Sequence, residues 1–171
     1  DALGQGTGTG IPRVPGVKFS NTTKVFWPET GQTKGDLIRY YDQVADYLLP
    51  YLEGRPVHMK RMPDGIEGEA FYQRRVPGHV PKWIETIDVI DAEGNPERHI
   101  VCADRRTLLY LANLGSIDLH PWLSREPDLD QPDWCVLDID PKEAPFTDVI
   151  KVTRAVGKVL HAVELEFGLK T

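Results

Sequence analysis

Asp138 and Asp140 are the first residues in this chain whose spacing suggests chemistry. They lie two apart in the apolar run DWCVLDID, so a strand there would send both carboxylates to one face and Leu137 and Ile139 to the other. Like charges held that close repel, and a bound divalent cation is the usual way of offsetting them. Hard oxygen donors suit Mg²⁺ or Mn²⁺, the ions of two-metal sites for phosphoryl transfer. The same aspartates could instead end a strand in solvent, and spacing alone does not separate the two readings. A second group is cationic. Lys24 and Lys34 flank the turn VFWPETGQT, each near the end of its own element, where they could meet Asn21 on one surface pocket. Two ammonium groups and an amide suit a phosphate; solvated surface lysines are the plain alternative. Phe71 and Tyr72 are adjacent in EAFYQRR, so a strand would point them to opposite faces. One could join the core while the other offers a base a stacking surface, or both could pack. His120 precedes Pro121-Trp122 and could be a core histidine satisfied by backbone groups. His58, His79, His99 and His161 show no metal-ligand spacing.

The elements that must position these side chains can be read from local signals. Thr33 can cap a helix from about Lys34 to Leu49, with Leu37, Tyr41, Val44 and Leu48 on one face and Pro50 and Gly54 closing it. From Pro56 to Asp91 come short β-rich runs, PVHMKR, EAFYQRR and IETIDVID, separated by the turns MPDGIEG and VPGHVPK, a pattern that predicts an antiparallel sheet. Lys60 and Arg61 end the first run, and Arg74 and Arg75 open the second turn. After HIVCA, Asp104 can cap a short helix carrying Leu108, Leu109, Leu111 and Ala112, with Gly115 ending it before the strand SIDLH. An acidic loop from Pro121 to Pro132 delivers the chain to DWCVLDID, read as a strand that Pro141 stops. Thr147 can cap a last helix whose apolar stripe is Val149, Val152, Val156, Val159 and Val163. Strands followed by packing helices predict a mixed α/β or α+β sandwich, preceded by a flexible Gly-, Thr- and Pro-rich lead-in over residues 1–16.

Composition bounds the function. The 171 residues, 40% hydrophobic and 27% charged, are long enough for one domain with a real core, and no apolar run approaches the roughly 20 residues of a membrane span. A soluble protein is expected. The net charge of -6 argues against coating nucleic acid nonspecifically but leaves room for a local basic patch. Cys102 and Cys135, the only cysteines, are too few for a zinc module or a disulfide scaffold; their apolar contexts predict buried thiols in a reducing compartment.

Four segments, TTKVFWPETGQTKGDLIRYY, GRPVHMKRMPDGIEGEAFYQ, SIDLHPW and VLDIDP, resemble in order and spacing successive motifs of the polymerase domain of bacterial ligase D, in the archaeo-eukaryotic primase superfamily. The resemblance covers Val17 to Thr171, the N-terminal two-thirds of that domain. It implies a primase-polymerase core with a central, mainly antiparallel sheet flanked by helices. It also implies template-dependent nucleotidyl transfer to a primer 3′-hydroxyl in non-homologous end joining. By the same resemblance Asp138 and Asp140 are catalytic metal ligands for Mn²⁺ or Mg²⁺, Lys60 and His120 contact the nucleotide, and Asn21, Lys24 and Lys34 hold a DNA 5′-phosphate. Arg61, Phe71, Tyr72, Arg74 and Arg75 would meet the DNA or its template strand. The partners implied are DNA ends with a 5′-phosphate, an NTP or dNTP, ligase and phosphoesterase domains and the Ku end-binding protein. No membrane is involved, and the location implied is the bacterial cytoplasm at the nucleoid. The family's domain continues past the point matching Thr171 with a Ser/Gly-rich turn, another histidine strand and a third carboxylate. The expectation is therefore a two-metal site incomplete within residues 17–171, and the alternative function is a DNA-end-binding module without catalysis.

Overall fold

The computed structural model describes residues 10–91 and 93–170, so the lead-in expected over residues 1–16 falls outside the described residues as far as residue 9. A short hairpin, β1 (Val25–Trp27) and β2 (Gln32–Thr33), leads straight into α1 (Lys34–Leu52). The junction is fixed by a capping box: the Thr33 hydroxyl accepts from the Asp36 backbone N–H, and the Asp36 carboxylate accepts from the Thr33 N–H at 2.8 Å. α1 runs through Pro50 to Leu52, further than the sequence predicted. A proline one turn from the end costs only one helical hydrogen bond, and the buried Leu52 holds that turn against the core.

Five strands follow, β3 (Pro56–Arg61), β4 (Phe71–Gln73), β5 (Thr86–Ile90), β6 (Pro96–Val101) and β7 (Ser116–Pro121), with α2 (Arg105–Asn113) before the last. Every pairing is antiparallel, so the mixed α/β fold with an antiparallel sheet agrees with the sequence reading. β3 is central: β7 lies along one edge, β6 and β4 share the other, and β5 lies outside β6. Asp104 caps α2 by accepting from the Thr107 N–H at 2.7 Å, and Gly115, at φ 77, lets the chain reverse into β7. Alternation then divides the sheet. Val57, Met59 and Ile100 join Leu37, Ile38 and Ala45 of α1 and Leu108, Leu111 and Ala112 of α2 in one core, while His58, Lys60, Tyr72, Asp118 and His120 take the opposite face by register.

The described residues form two compact units, one up to Trp134 and one from Cys135. In the second, α3 (Phe146–Ala162) starts after Pro145 with no side-chain cap, not at Thr147. The segment Cys135–Asp140 is not a strand, contrary to the sequence reading. An alternating pattern becomes a strand only when a neighbour completes its ladder, and no described segment pairs with this one. Cys135, expected to be buried, is exposed for the same reason; Cys102 is buried, and burial raises its thiol pKa. Among the described residues no helix is long and apolar enough to cross a membrane.

Candidate nucleic-acid interface

The face of the sheet turned away from α1 and α2 gathers polar and aromatic side chains around β3. Lys60 is paired in register with Tyr72 on β4 and Asp118 on β7; its ammonium lies 3.8 Å from the Asp118 carboxylate and 5.9 Å from the centre of the Tyr72 ring. The Tyr72 ring, 61% exposed, sits 5.7 Å from the imidazole of His120. His58 is the register partner of His120. Its Nε2 accepts a hydrogen bond from the Trp122 indole at 3.1 Å, and its ring stacks on His99 at 5.4 Å. An imidazole nitrogen that accepts is unprotonated, which agrees with the lowered pKa of His58, caused first by burial and then by the neighbouring His99 and Arg74. The pKa of His99 is also lowered, again chiefly by burial.

A second cluster lies where β1, the start of α1 and the end of β3 meet. Lys34 is the first residue of α1, yet only 6% of it is exposed, and its ammonium donates to the Ser20 hydroxyl at 3.5 Å. Its pKa is lowered by burial, then by the charges of Lys24 and Arg61, so three cations share one neighbourhood. Asn21 adopts φ 52 and its carbonyl accepts from the Lys24 N–H at 3.0 Å, while the Lys24 carbonyl accepts from the Lys34 N–H at 2.8 Å. The structure thus brings Asn21, Lys24 and Lys34 together. The Lys24 ammonium donates to the Pro63 carbonyl at 3.0 Å and to the carboxylate of Asp64. Arg61 reaches the Leu114 carbonyl at 2.9 Å and the Gln73 amide oxygen at 2.6 Å, and its guanidinium stands 5.1 Å from the ring centre of Phe71. Phe71 and Tyr72 therefore belong to opposite faces, one beside Arg61 and the other beside Lys60 and His120.

Arg74 and Arg75 are exposed at the start of the loop after β4, with Arg75 paired to Glu97. In the second unit Asp138 and Asp140 are both exposed and line one groove with Leu137, Ile139, Val149 and Val152. Asp140 accepts from the Lys142 N–H at 3.1 Å. Their donor type fits a hard divalent cation that keeps several waters, but among the described residues no group of three or more His, Cys, Asp or Glu side chains is placed to hold a metal. Sequence reasoning missed Asp64, Trp122, His58 and His99. The last three share a face with Lys60 or its neighbours, which two-residue alternation from Lys60 would have revealed for His58; the contact of Asp64 with Lys24 spans two elements and leaves no local signal.

The arrangement is that of a polymerase-type α/β domain. It superposes on the polymerase domain from Mycobacterium tuberculosis ligase D, solved in complex with DNA, with a TM-score of 0.72 and 25% identity, over 86% of this chain and 54% of that one. A family model described as the LigD primase-polymerase domain matches residues 33–171, and the chain belongs to that family. It is 34% identical over 159 residues to the bifunctional non-homologous end joining protein LigD of Bacillus subtilis and 29% identical over 160 residues to the multifunctional LigD of Mycolicibacterium smegmatis. Each alignment takes in 92% of this chain, which spans 24% and 21% of the length of those two relatives.

Proposed function

We propose that this chain carries metal-dependent, template-guided nucleotidyl transfer to a primer 3′-hydroxyl at DNA breaks, with the break recognised through its 5′-phosphate. The observation that carries this reading is the grouping of Lys60, Tyr72 and His120 on one open face of β3, β4 and β7, in a chain of the LigD primase-polymerase family. Lys60 and His120 contact the triphosphate of an incoming NTP or dNTP. Tyr72, with an exposed ring, stacks on a template base, a contact worth about 1–3 kcal/mol per base. Asn21, Lys24 and Lys34 take the 5′-phosphate, and Arg61, Phe71, Arg74 and Arg75 meet the DNA around it. Asp138 and Asp140 hold Mn²⁺ or Mg²⁺, which when bound lowers the charge barrier between the 3′-oxygen and the α-phosphate. The 3′-oxygen displaces pyrophosphate directly, with no covalent enzyme intermediate, so the residues contribute position and charge.

A second reading is a DNA-end-binding module without catalysis, favoured by a carboxylate pair with no third partner among the described residues. One assay separates the two. With a gapped 5′-phosphorylated duplex, Mn²⁺ and labelled nucleotide, the first reading predicts templated extension that the Asp138→Ala/Asp140→Ala variant reduces by about 10²-fold or more. No extension, together with 5′-phosphate-dependent binding, establishes the second. Equal extension by the two proteins removes the role of the aspartates.

A further inference from the structure

We propose that Asp64 is a built-in competitor of DNA in the pocket of Lys24 and Lys34, occupying the Lys24 ammonium until a terminal phosphate displaces it. The inference rests on that pocket being the 5′-phosphate site. Its starting point is an imbalance between the two lysines. Among the described residues Lys34 is buried with a single neutral partner, the Ser20 hydroxyl, and stands beside two other cations. Lys24 is charge-compensated by its own chain, through the Asp64 carboxylate and the Pro63 carbonyl. The pocket therefore has one cation without an anion and one whose anion is already in place.

The placement of Asp64 is set by the fold. The turn after β3 is fastened to β1 by the Ile66 N–H, which donates to the Phe26 carbonyl at 2.9 Å. At Gly65, φ is 90, and a Cβ there would lie 2.8 Å from the same carbonyl, so the turn presses onto β1 as only glycine permits. Asp64 is the preceding residue, and its backbone is therefore held over Lys24. Its side chain remains 68% exposed, and an exposed ion pair is weak and quickly exchanged.

Charge then decides which phosphates can displace Asp64. A bridging phosphodiester carries one negative charge, no more than the carboxylate it would have to replace. A terminal phosphate monoester carries about 1.5 to 2 at neutral pH and offers three acceptor oxygens. Displacing Asp64 is favourable for the second and close to neutral for the first. Asp64 thus raises the threshold for entry: it lowers the affinity of the pocket for every phosphate, and a terminal phosphate retains enough charge to displace it. It sets the affinity of the pocket and touches no reacting atom.

The test compares gapped duplexes that differ only in a 5′-phosphate or 5′-hydroxyl, bound by the wild-type chain and by Asp64→Asn, with affinities read by fluorescence anisotropy at low and moderate salt. Asp64→Asn keeps the shape and the turn, and thermal melting checks its fold; Asp64→Ser is the second variant should the asparagine melt early. The expected result is tighter binding of the 5′-phosphate duplex, by roughly threefold to tenfold, with a smaller gain for the 5′-hydroxyl duplex and hence a wider preference. The gain should disappear when Lys24→Ala is added. Wild-type preference for the 5′-phosphate with unchanged or weaker binding by Asp64→Asn overturns the inference alone, since Asp64 would then position Lys24. Absence of any 5′-phosphate preference in both proteins overturns the pocket, and Asp64 as its competitor with it.

Discussion

Lys34 illustrates a functional side chain held at a cost in stability. Burial and the charges of Lys24 and Arg61 lower its pKa, so the folded state disfavours the protonated form that the unfolded chain accepts freely. The sign follows from the direction of the shift. The cost is fully present below the lowered folded value, shrinks as pH rises from there towards the ordinary 10.5, and is gone above it. Replacing Lys34 with Met keeps the stem and removes the charge, and should raise stability by about 1 kcal/mol while abolishing the preference for a 5′-phosphate. Chemical denaturation and paired binding curves on the same preparation check both halves; a destabilised Lys34→Met would mean that the ammonium stabilises the fold through contacts beyond Ser20.

At the scale of elements, what could be read in the sequence was whatever is determined locally. The cap at Thr33 and the stripe Leu37–Tyr41 announce α1, and Asp104 with Leu108, Leu109, Leu111 and Ala112 announces α2, because helices satisfy their own backbone within a few residues. DWCVLDID misled because a strand is a property of two segments, and the pattern says nothing about whether a partner is present. The convergence of Lys24 with Lys34 was suggested by their shared turn; the contribution of Arg61 was not, since it depends on how the end of β3 packs against β1 and α1. The segment from Pro121 to Pro132 reads as a plain acidic loop, yet its end is pinned. Arg55, 2% exposed just before β3, donates to the Trp122 carbonyl at 3.1 Å, pairs with Asp133 at 2.7 Å and stands 5.5 Å from the ring centre of Trp134. Arg55→Ala should therefore cost about 2 kcal/mol, since it removes a charge-assisted bond and leaves the half-buried Trp122 carbonyl without this donor. A urea midpoint that falls with the m-value unchanged is the expected signature, and an unchanged midpoint would show the strap to be independently held.

The whole molecule carries a net charge of -6, yet its acid response should be governed by two histidines on the proposed nucleotide face. His58 and His99 both have pKa values lowered from 6.5, chiefly by burial, and His58 must stay neutral to accept from Trp122. A group whose folded pKa is depressed and whose charged form is the acid binds fewer protons when folded. Stability is therefore unaffected well above 6.5 and falls as pH drops below it, until the folded values are passed. Each such proton contributes a slope of up to about 1.4 kcal/mol per pH unit. Asp36, Asp88 and Asp91 shift in the same sense but lower on the pH scale: their pKa values are lowered from 3.8, so the stability they contribute persists until the medium approaches that value. The interval between about pH 4.5 and 6.5 thus isolates the histidines. Melting temperature should decline across it in the wild-type protein and decline less in His58→Gln/His99→Gln, where the glutamine at 58 still offers Trp122 an acceptor. Binding of a nucleotide triphosphate, followed in the same interval, should weaken in parallel, because protonated His58 cannot accept from Trp122 and the strand end bearing His120 loses that support. A melting temperature that is flat from pH 7 to 5, or equal slopes in the two proteins, would show that the stacked imidazoles are not the acid-sensitive element of the fold.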